Sequence, residues 1–493
     1  MEDMSRRTFI GAMGAMGMIG ATAFASEAPA SAKVDAAGSA AADGQATPAG
    51  ATTGPAFDVK VGEGTKWTPA DVEVKGGSYL SLAEANKMRA ELLDSLGDYT
   101  KSDGTVVPAV WNKLRSLVYS IGLGAGDAPL DDHSFDWFQR LFTEDEAQAY
   151  LEMPFGTLFT AAEFAECSGR DEADCLALCE DLADRGLLWR ARRAGTAYFH
   201  QVAAVHGMFE YNWPSYYGDE GWIDDFVNSY LTPTYAQQGM MTGGTPFYYA
   251  IPCDEKVVAD EKIIIGDDYK KIIERNDYIA VAPCQCRLMT MKLTGQDEPP
   301  AMGTQELKDF HTPVCGHPLE TCMIFGEEAQ YYIERDAARQ IDKDEAYEIL
   351  GRSVDEGMIL QSCYTKGSEI ICSCHGDCCG ILSAYVAAGP EACAAANAYP
   401  QTSHYNLVYD RDACIQCGAC VDRCPMFAIS MDDTNHPTVN AMCMRCGQCG
   451  MVCPVEARKL VAKDASEMLE MPTDLLDDYN LNTAFRFEHN QIH

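Results

Sequence analysis

Cys414-Ile415-Gln416-Cys417-Gly418-Ala419-Cys420-Val421-Asp422-Arg423-Cys424-Pro425 decides how this chain is read. Its cysteines stand in the spacing C-x2-C-x2-C-x3-C, and the same run returns as Cys443, Cys446, Cys449 and Cys453, followed by Pro454. Every cysteine of the second run lies 29 residues after its counterpart, so the segment is an internal duplication. Two-residue spacers let a tight loop wrap three thiolates around one iron–sulfur cubane. The fourth cysteine, carried onward by the proline turn, reaches the other half. The spacing predicts two [4Fe-4S] clusters with crossed ligands: Cys414, Cys417, Cys420 and Cys453 for one, Cys443, Cys446, Cys449 and Cys424 for the other. Gly418 and Gly447 let the backbone approach the sulfides. A pair of zinc sites or four disulfides would not require this doubled pseudo-symmetry.

The chain holds 22 cysteines in 493 residues, far more than apolar filling needs, and at this length the count points to metal ligation. Outside the duplicated runs a second set is dense: Cys284, Cys286, Cys315, Cys322, Cys372, Cys374, Cys378 and Cys379. Three chemistries compete for it: a further iron–sulfur cluster, a structural zinc site, or disulfides and loosely paired thiols. The further cluster is favoured. Zinc prefers paired knuckles with longer separations, and a chain folded in the reducing cytoplasm would form disulfides late. The vicinal pair Cys378-Cys379 does not readily chelate one ion side by side. Nearby His317 and His375 are open to ligation or to ordinary hydrogen bonding.

The N-terminus addresses the compartment. Ser5-Arg6-Arg7-Thr8-Phe9-Ile10 is a twin-arginine signature, followed by a mildly apolar, glycine-rich run to Ala25. A signal peptide over residues 1–25 and an exported protein, in the periplasm or at the cell-envelope exterior, are expected. The run is too short and too rich in glycine to serve as an anchor, so no transmembrane anchor is expected in the mature chain. Acidic residues number 74 against 37 basic ones, a formal net charge of −37. That field repels nucleic-acid phosphate and anionic lipid, and it favours a partner with a basic docking patch.

Composition divides the rest. Residues 26–58 form a flexible Ala/Gly/Pro linker, and residues 59–235 a helical and winged-helix-like region. Ser81 with Glu84, Thr143 with Glu146 and Thr160 with Glu163 read as capping boxes. After Ser168-Gly169, Cys175, Leu178, Cys179 and Leu182 share one helix face, and two alternating runs flank Ala194-Gly195 as a hairpin. Helix, turn, helix and hairpin is the order of a winged helix, but the acidic residues crowding it favour a protein scaffold over DNA binding. Residues 236–403 are a Cys-rich α/β middle domain, residues 404–462 the two-cluster module and residues 463–493 an acidic tail on the surface. The fold class expected is α+β and multidomain.

Taken together, the winged-helix-like segment, Cys284-Gln285-Cys286-Arg287, His317-Pro318-Leu319-Glu320-Thr321-Cys322, Cys372-Ser373-Cys374-His375-Gly376-Asp377-Cys378-Cys379-Gly380 and the doubled C-terminal motif resemble the large 4Fe-4S dicluster ferredoxin-like proteins. Those combine a helical N-terminal part, a cysteine-rich middle and a C-terminal bacterial-type ferredoxin domain. The resemblance implies iron–sulfur electron transfer. An electron carrier or electron-transfer subunit for a partner oxidoreductase is the main expectation, and no G-x-G-x-x-G unit supports a nicotinamide site. An oxidoreductase with its own substrate at the middle cysteines is the alternative, and a redox-sensing winged-helix regulator the least favoured. No catalytic residue is expected.

Overall fold

The computed structural model describes residues 81–122, 130–213, 219, 221–231, 246, 248–253, 267–395, 401–464 and 471–488. The expected signal peptide and linker lie outside the described residues. The chain mixes helix and sheet in the α+β manner, and among the described residues no helix is long and apolar enough to cross a membrane.

Local chemistry starts the N-terminal helices. Leu82–Ser95 and Glu144–Glu152 open on reciprocal boxes, Ser81 with Glu84 and Thr143 with Glu146, each satisfying two otherwise orphaned N–H groups. Ala109–Ser120 begins after Pro108 and buries Trp111, Leu114, Leu117 and Val118. Ala161–Ser168 carries its own box, from Thr160 to Glu163, and stops at Gly169 with φ +73°, where a Cβ would be strained. Glu172–Asp184 follows, and then the hairpin Leu188–Arg193 with Thr196–Gln201. Cys175, Cys179 and Leu182 are buried as one stripe.

The hairpin docks on the middle of the chain through charge. Arg190 meets Glu180, Asp184 and Glu334 at 2.6, 2.7 and 2.9 Å, and Arg193 meets Glu327 at 2.7 Å. Trp189 Nε1 donates to Glu328 at 2.6 Å. The cations a DNA-binding wing would offer to phosphate are thus occupied by carboxylates of the helices Glu172–Asp184 and Gly326–Glu334.

Behind it stands a seven-stranded sheet in the order Gln401–Thr402, Tyr248–Ile251, Ile359–Cys363, Ile370–Cys374, Glu320–Phe325, Ile279–Pro283 and Arg339–Ile341. All pairings are antiparallel except Gln401–Thr402 with Tyr248–Ile251. The α/β expectation for the middle region is corrected here: its apolar runs, buried on both faces, hide strand direction because they lack alternation. Helices Tyr269–Arg275 and Lys343–Asp355 pack on one face with Ile272, Ile273, Ile349 and Leu350.

Arg339 anchors the sheet edge. Its guanidinium grips Glu320 with two bonds of 2.9 and 2.7 Å and donates to Glu345 at 2.7 Å. Glu345 is held down to about 2, by Arg339 first and Lys308 next, against the opposing effect of burial. The stabilisation from Glu345 is therefore complete above its ordinary value near 4.5 and disappears as pH falls through about 2. Glu320 is only 1% exposed, so Arg339→Met should cost about 3–5 kcal/mol by stranding a buried charge. Urea unfolding would measure this, and adding Glu320→Gln should recover much of it.

The C-terminal segment departs from the surface tail expected. Leu475–Glu488 is a helix that buries Leu475, Leu476, Tyr479, Ala484 and Phe487. Thr483 Oγ1 donates to Ser120 O, and Arg486 Nη1 to Tyr119 O. Asp474, Asp477 and Asp478 suggested a solvated face, but the apolar stripe among them decides the packing.

Candidate functional site

The duplicated runs fold as near copies. Tyr405–Tyr409 pairs with Arg458–Ala462, and Ile429–Met431 pairs with Pro437–Val439. Backbone torsions repeat at the 29-residue offset: Gln416 and Arg445 have φ of 59° and 53°, Gly418 and Gly447 of 78° and 90°, Phe427 and Glu456 both of 53°. Such left-handed turns are costly outside glycine, and here they curl each loop around a small cavity. One cavity is ringed by Cys414, Cys417, Cys420 and Cys453, the other by Cys424, Cys443, Cys446 and Cys449. Ala457 N donates to Cys453 Sγ at 3.2 Å and Ala428 N to Cys424 Sγ at 3.3 Å, a matched pair that would stabilise thiolate. Four convergent cysteines and backbone donors fit a cubane at each cavity.

The two halves differ in what covers them. Cys417 is exposed, and beside it Ile415 is 59% exposed. The second half is turned inward. Cys253 N donates to Cys446 O at 2.9 Å, and Gln448 Nε2 donates to Val354 O and Met358 O at 3.0 and 2.7 Å. Arg423 Nε donates to Gln448 Oε1 and its Nη2 to Val354 O, both at 2.8 Å. Burial pushes the Cys449 thiol up to about 12 and that of Cys446 well above its ordinary value.

The middle region, against which this half packs, carries the eight middle cysteines. Cys284 caps the helix Gln285–Leu293, and Cys286 sits in its first turn. Cys372 and Cys374, two apart in the strand Ile370–Cys374, share a face. Cys322 arrives on the adjacent strand Glu320–Phe325. Six thiols run in contact from Cys284 through Cys286, Cys379, Cys374 and Cys372 to Cys322. They border a cavity of about 50 Å³. Cys315 and Cys378 form a further contacting pair, and Cys378 also lines that cavity. The S–H of Cys378 and the charge of Arg287 pull Cys315 down to about 6 against burial, while contact with Cys315 and burial push Cys378 up.

Arg287 holds the group together. It is 1% exposed, and Nη1 donates to Pro318 O and Thr321 Oγ1, both at 2.8 Å. Nη2 donates to Ser373 O at 2.7 Å. Burial disfavours its charge, yet Cys284, Cys378, Cys315 and Cys374 raise its affinity for the proton well above the ordinary value. Crowded buried thiols resist ionising together, and a bound cation relieves that resistance by releasing their protons. The donor set therefore fits a metal centre better than a set of inert core cysteines.

Sequence reading missed three residues on the cavity wall: His206, Glu210 and Tyr248. His206 Nδ1 lies 3.5 Å from Glu210 Oε1 and 3.4 Å from Tyr248 Oη. Burial lowers the proton affinity of His206, but Glu210 together with Glu328 and Glu369 outweighs it, and the net direction is upward. No motif marks these residues. They come from a loop, the short helix Met208–Tyr211 and a strand, whose convergence only the fold supplies.

The model of one family, the 4Fe-4S dicluster domain, matches residues 406–454. No curated protein and no solved structure matches the chain. The matched segment contains both cysteine runs, so the C-terminal part of this chain is similar to 4Fe-4S dicluster domains, and the match points to iron–sulfur electron transfer.

Proposed function

We propose that this chain is an exported iron–sulfur electron-transfer protein whose dicluster domain serves a redox centre at its own middle cysteines. Cys414, Cys417, Cys420 and Cys453 would hold the outer [4Fe-4S] cluster, and Cys424, Cys443, Cys446 and Cys449 the inner one. The six contacting thiols would hold a further iron–sulfur centre. Bound there, the clusters supply one-electron redox chemistry.

The observation that carries this reading is the asymmetry of the dicluster domain. Its first half presents Cys417 to solvent, and its second half is hydrogen-bonded to the middle region through Cys446 O and Gln448. A shuttle between two external partners would need both halves accessible. This one has an outer face for a donor and an inner face for the chain itself. Exposed Asp412 and Asp422 flank the outer half and suit a redox partner with a basic patch. His206, Glu210 and Tyr248 at the middle cavity favour the oxidoreductase reading over a plain carrier, because they place acid–base groups beside a candidate redox centre.

The test is a Cys286→Ser, Cys379→Ser variant purified without oxygen. It should lose about four irons per chain relative to wild type while keeping the about eight of the dicluster domain. Unchanged iron would refute the middle centre.

A further inference from the structure

We propose that Cys315, His317 and Asp377 form a mononuclear zinc(II) site that ties two loops together where the dicluster domain docks. These three residues lie outside the lining of the six-thiol cavity, which Cys378 borders, and the site does not depend on the electron-transfer reading. One ligand atom from each of the three residues lies within 4.8 Å of the others. Zinc bonds of 2.0–2.3 Å in a tetrahedron set donors about 3.3–3.8 Å apart. A small inward closure reaches that spacing, whereas a cubane spreads its thiolates farther.

Each loop is built to present its ligands. Thr312 N donates to His317 O at 2.9 Å, and Gly316 N donates to Thr312 O at 2.8 Å, with Gly316 at φ +73°. This closed turn projects Cys315 and His317 together, and the Thr312 hydroxyl lies 3.0 Å from Cys315 Sγ. In the second loop Cys378 N and Cys379 N both donate to His375 O, which fixes Asp377 between them.

Asp377 supplies the independent sign of a ligand. It is 4% exposed, and its carboxylate sits among ligand-type side chains: His375, Cys378 and His317. Its ionic neighbours are His375 Nδ1 at 2.8 Å and a nitrogen of His317 at 3.9 Å. A carboxylate this buried, with an imidazole and a thiol as its near neighbours and no fixed cation, is stabilised by a metal ion beside it. Mixed S, N and O donors suit zinc, with Cys378 or water in the fourth position. The ion would hold His375 and Gly376 against the dicluster domain, where His375 stacks edge-on to Phe427 at 5.6 Å.

The experiment is metal analysis of the whole protein, grown with zinc, purified without oxygen and washed with chelator. About one zinc per chain is expected in wild type, with a zinc-edge absorption shell of mixed sulfur and nitrogen or oxygen. Asp377→Asn and His317→Gln should each reduce zinc more than tenfold with iron unchanged. Wild-type protein free of zinc, an all-sulfur shell, or zinc retained in both variants would overturn the site. The absorption shell of wild type decides the matter even where a variant fails to fold. Iron loss in the Cys286→Ser, Cys379→Ser protein remains a separate readout.

Discussion

Gly376→Val should disconnect the dicluster domain from the middle cysteines while leaving the metal of both in place. A Cβ at residue 376 would meet Pro425 O at 2.7 Å and Val386 Cγ2 at 3.0 Å. Gly376 N also donates to Pro425 O at 2.9 Å, so the backbones touch without room for a side chain. Pro425 cannot step aside freely, because Cys424 before it borders the inner cavity and accepts from Ala428 N. The two segments must therefore separate, at a cost of about 1–3 kcal/mol. Electron transfer between the inner half and the middle centre falls steeply with distance and should slow by an order of magnitude or more. Rapid-mixing reduction followed by freeze-quench EPR would measure it. Wild-type kinetics in this variant would mean that electrons do not cross here.

Arg287→Met should be the most damaging single change in the middle region. The side chain fits the space, but four hydrogen-bond acceptors lose their donor, the sulfur of Met358 at 3.0 Å among them. The thiolates of Cys284, Cys315, Cys374 and Cys378 lose the positive charge that Arg287 places among them. We expect a loss of about 3–5 kcal/mol together with most of the iron of the middle centre. Arg287→Lys should retain part of the metal, because it keeps the charge, yet lose stability, because an ammonium cannot reproduce the planar fork. Melting temperature and iron content distinguish the two effects. Full iron in the Met variant would show that Arg287 is structural only.

How legible this was from sequence depends on the range of the interaction. The duplicated cysteine runs, the three capping boxes and the hairpin around Ala194-Gly195 are local patterns; the family match covers the runs, and the structure forms the boxes and the hairpin as read. The partition of the middle cysteines into six and two is not local. Cys322 reaches Cys372 because Glu320–Phe325 pairs antiparallel with Ile370–Cys374, and spacing along the chain carries no register. The inward turn of one half was equally hidden. Both halves share one motif, and what distinguishes them is Cys253, Val354, Met358 and Gly376, each far away in sequence. Asp377 stands in the Cys372–Gly380 motif, but its burial beside His317 and His375 could not be read from residue type.

The central claim, that the chain holds a redox centre beyond its dicluster domain, is tested most directly by reductive titration of anaerobic wild-type protein with EPR at each step. Two cubanes accept about two electrons per chain. The account predicts further electrons, with a signal that vanishes in the Cys286→Ser, Cys379→Ser variant. Uptake that stops at two, with identical spectra in wild type and variant, would contradict it.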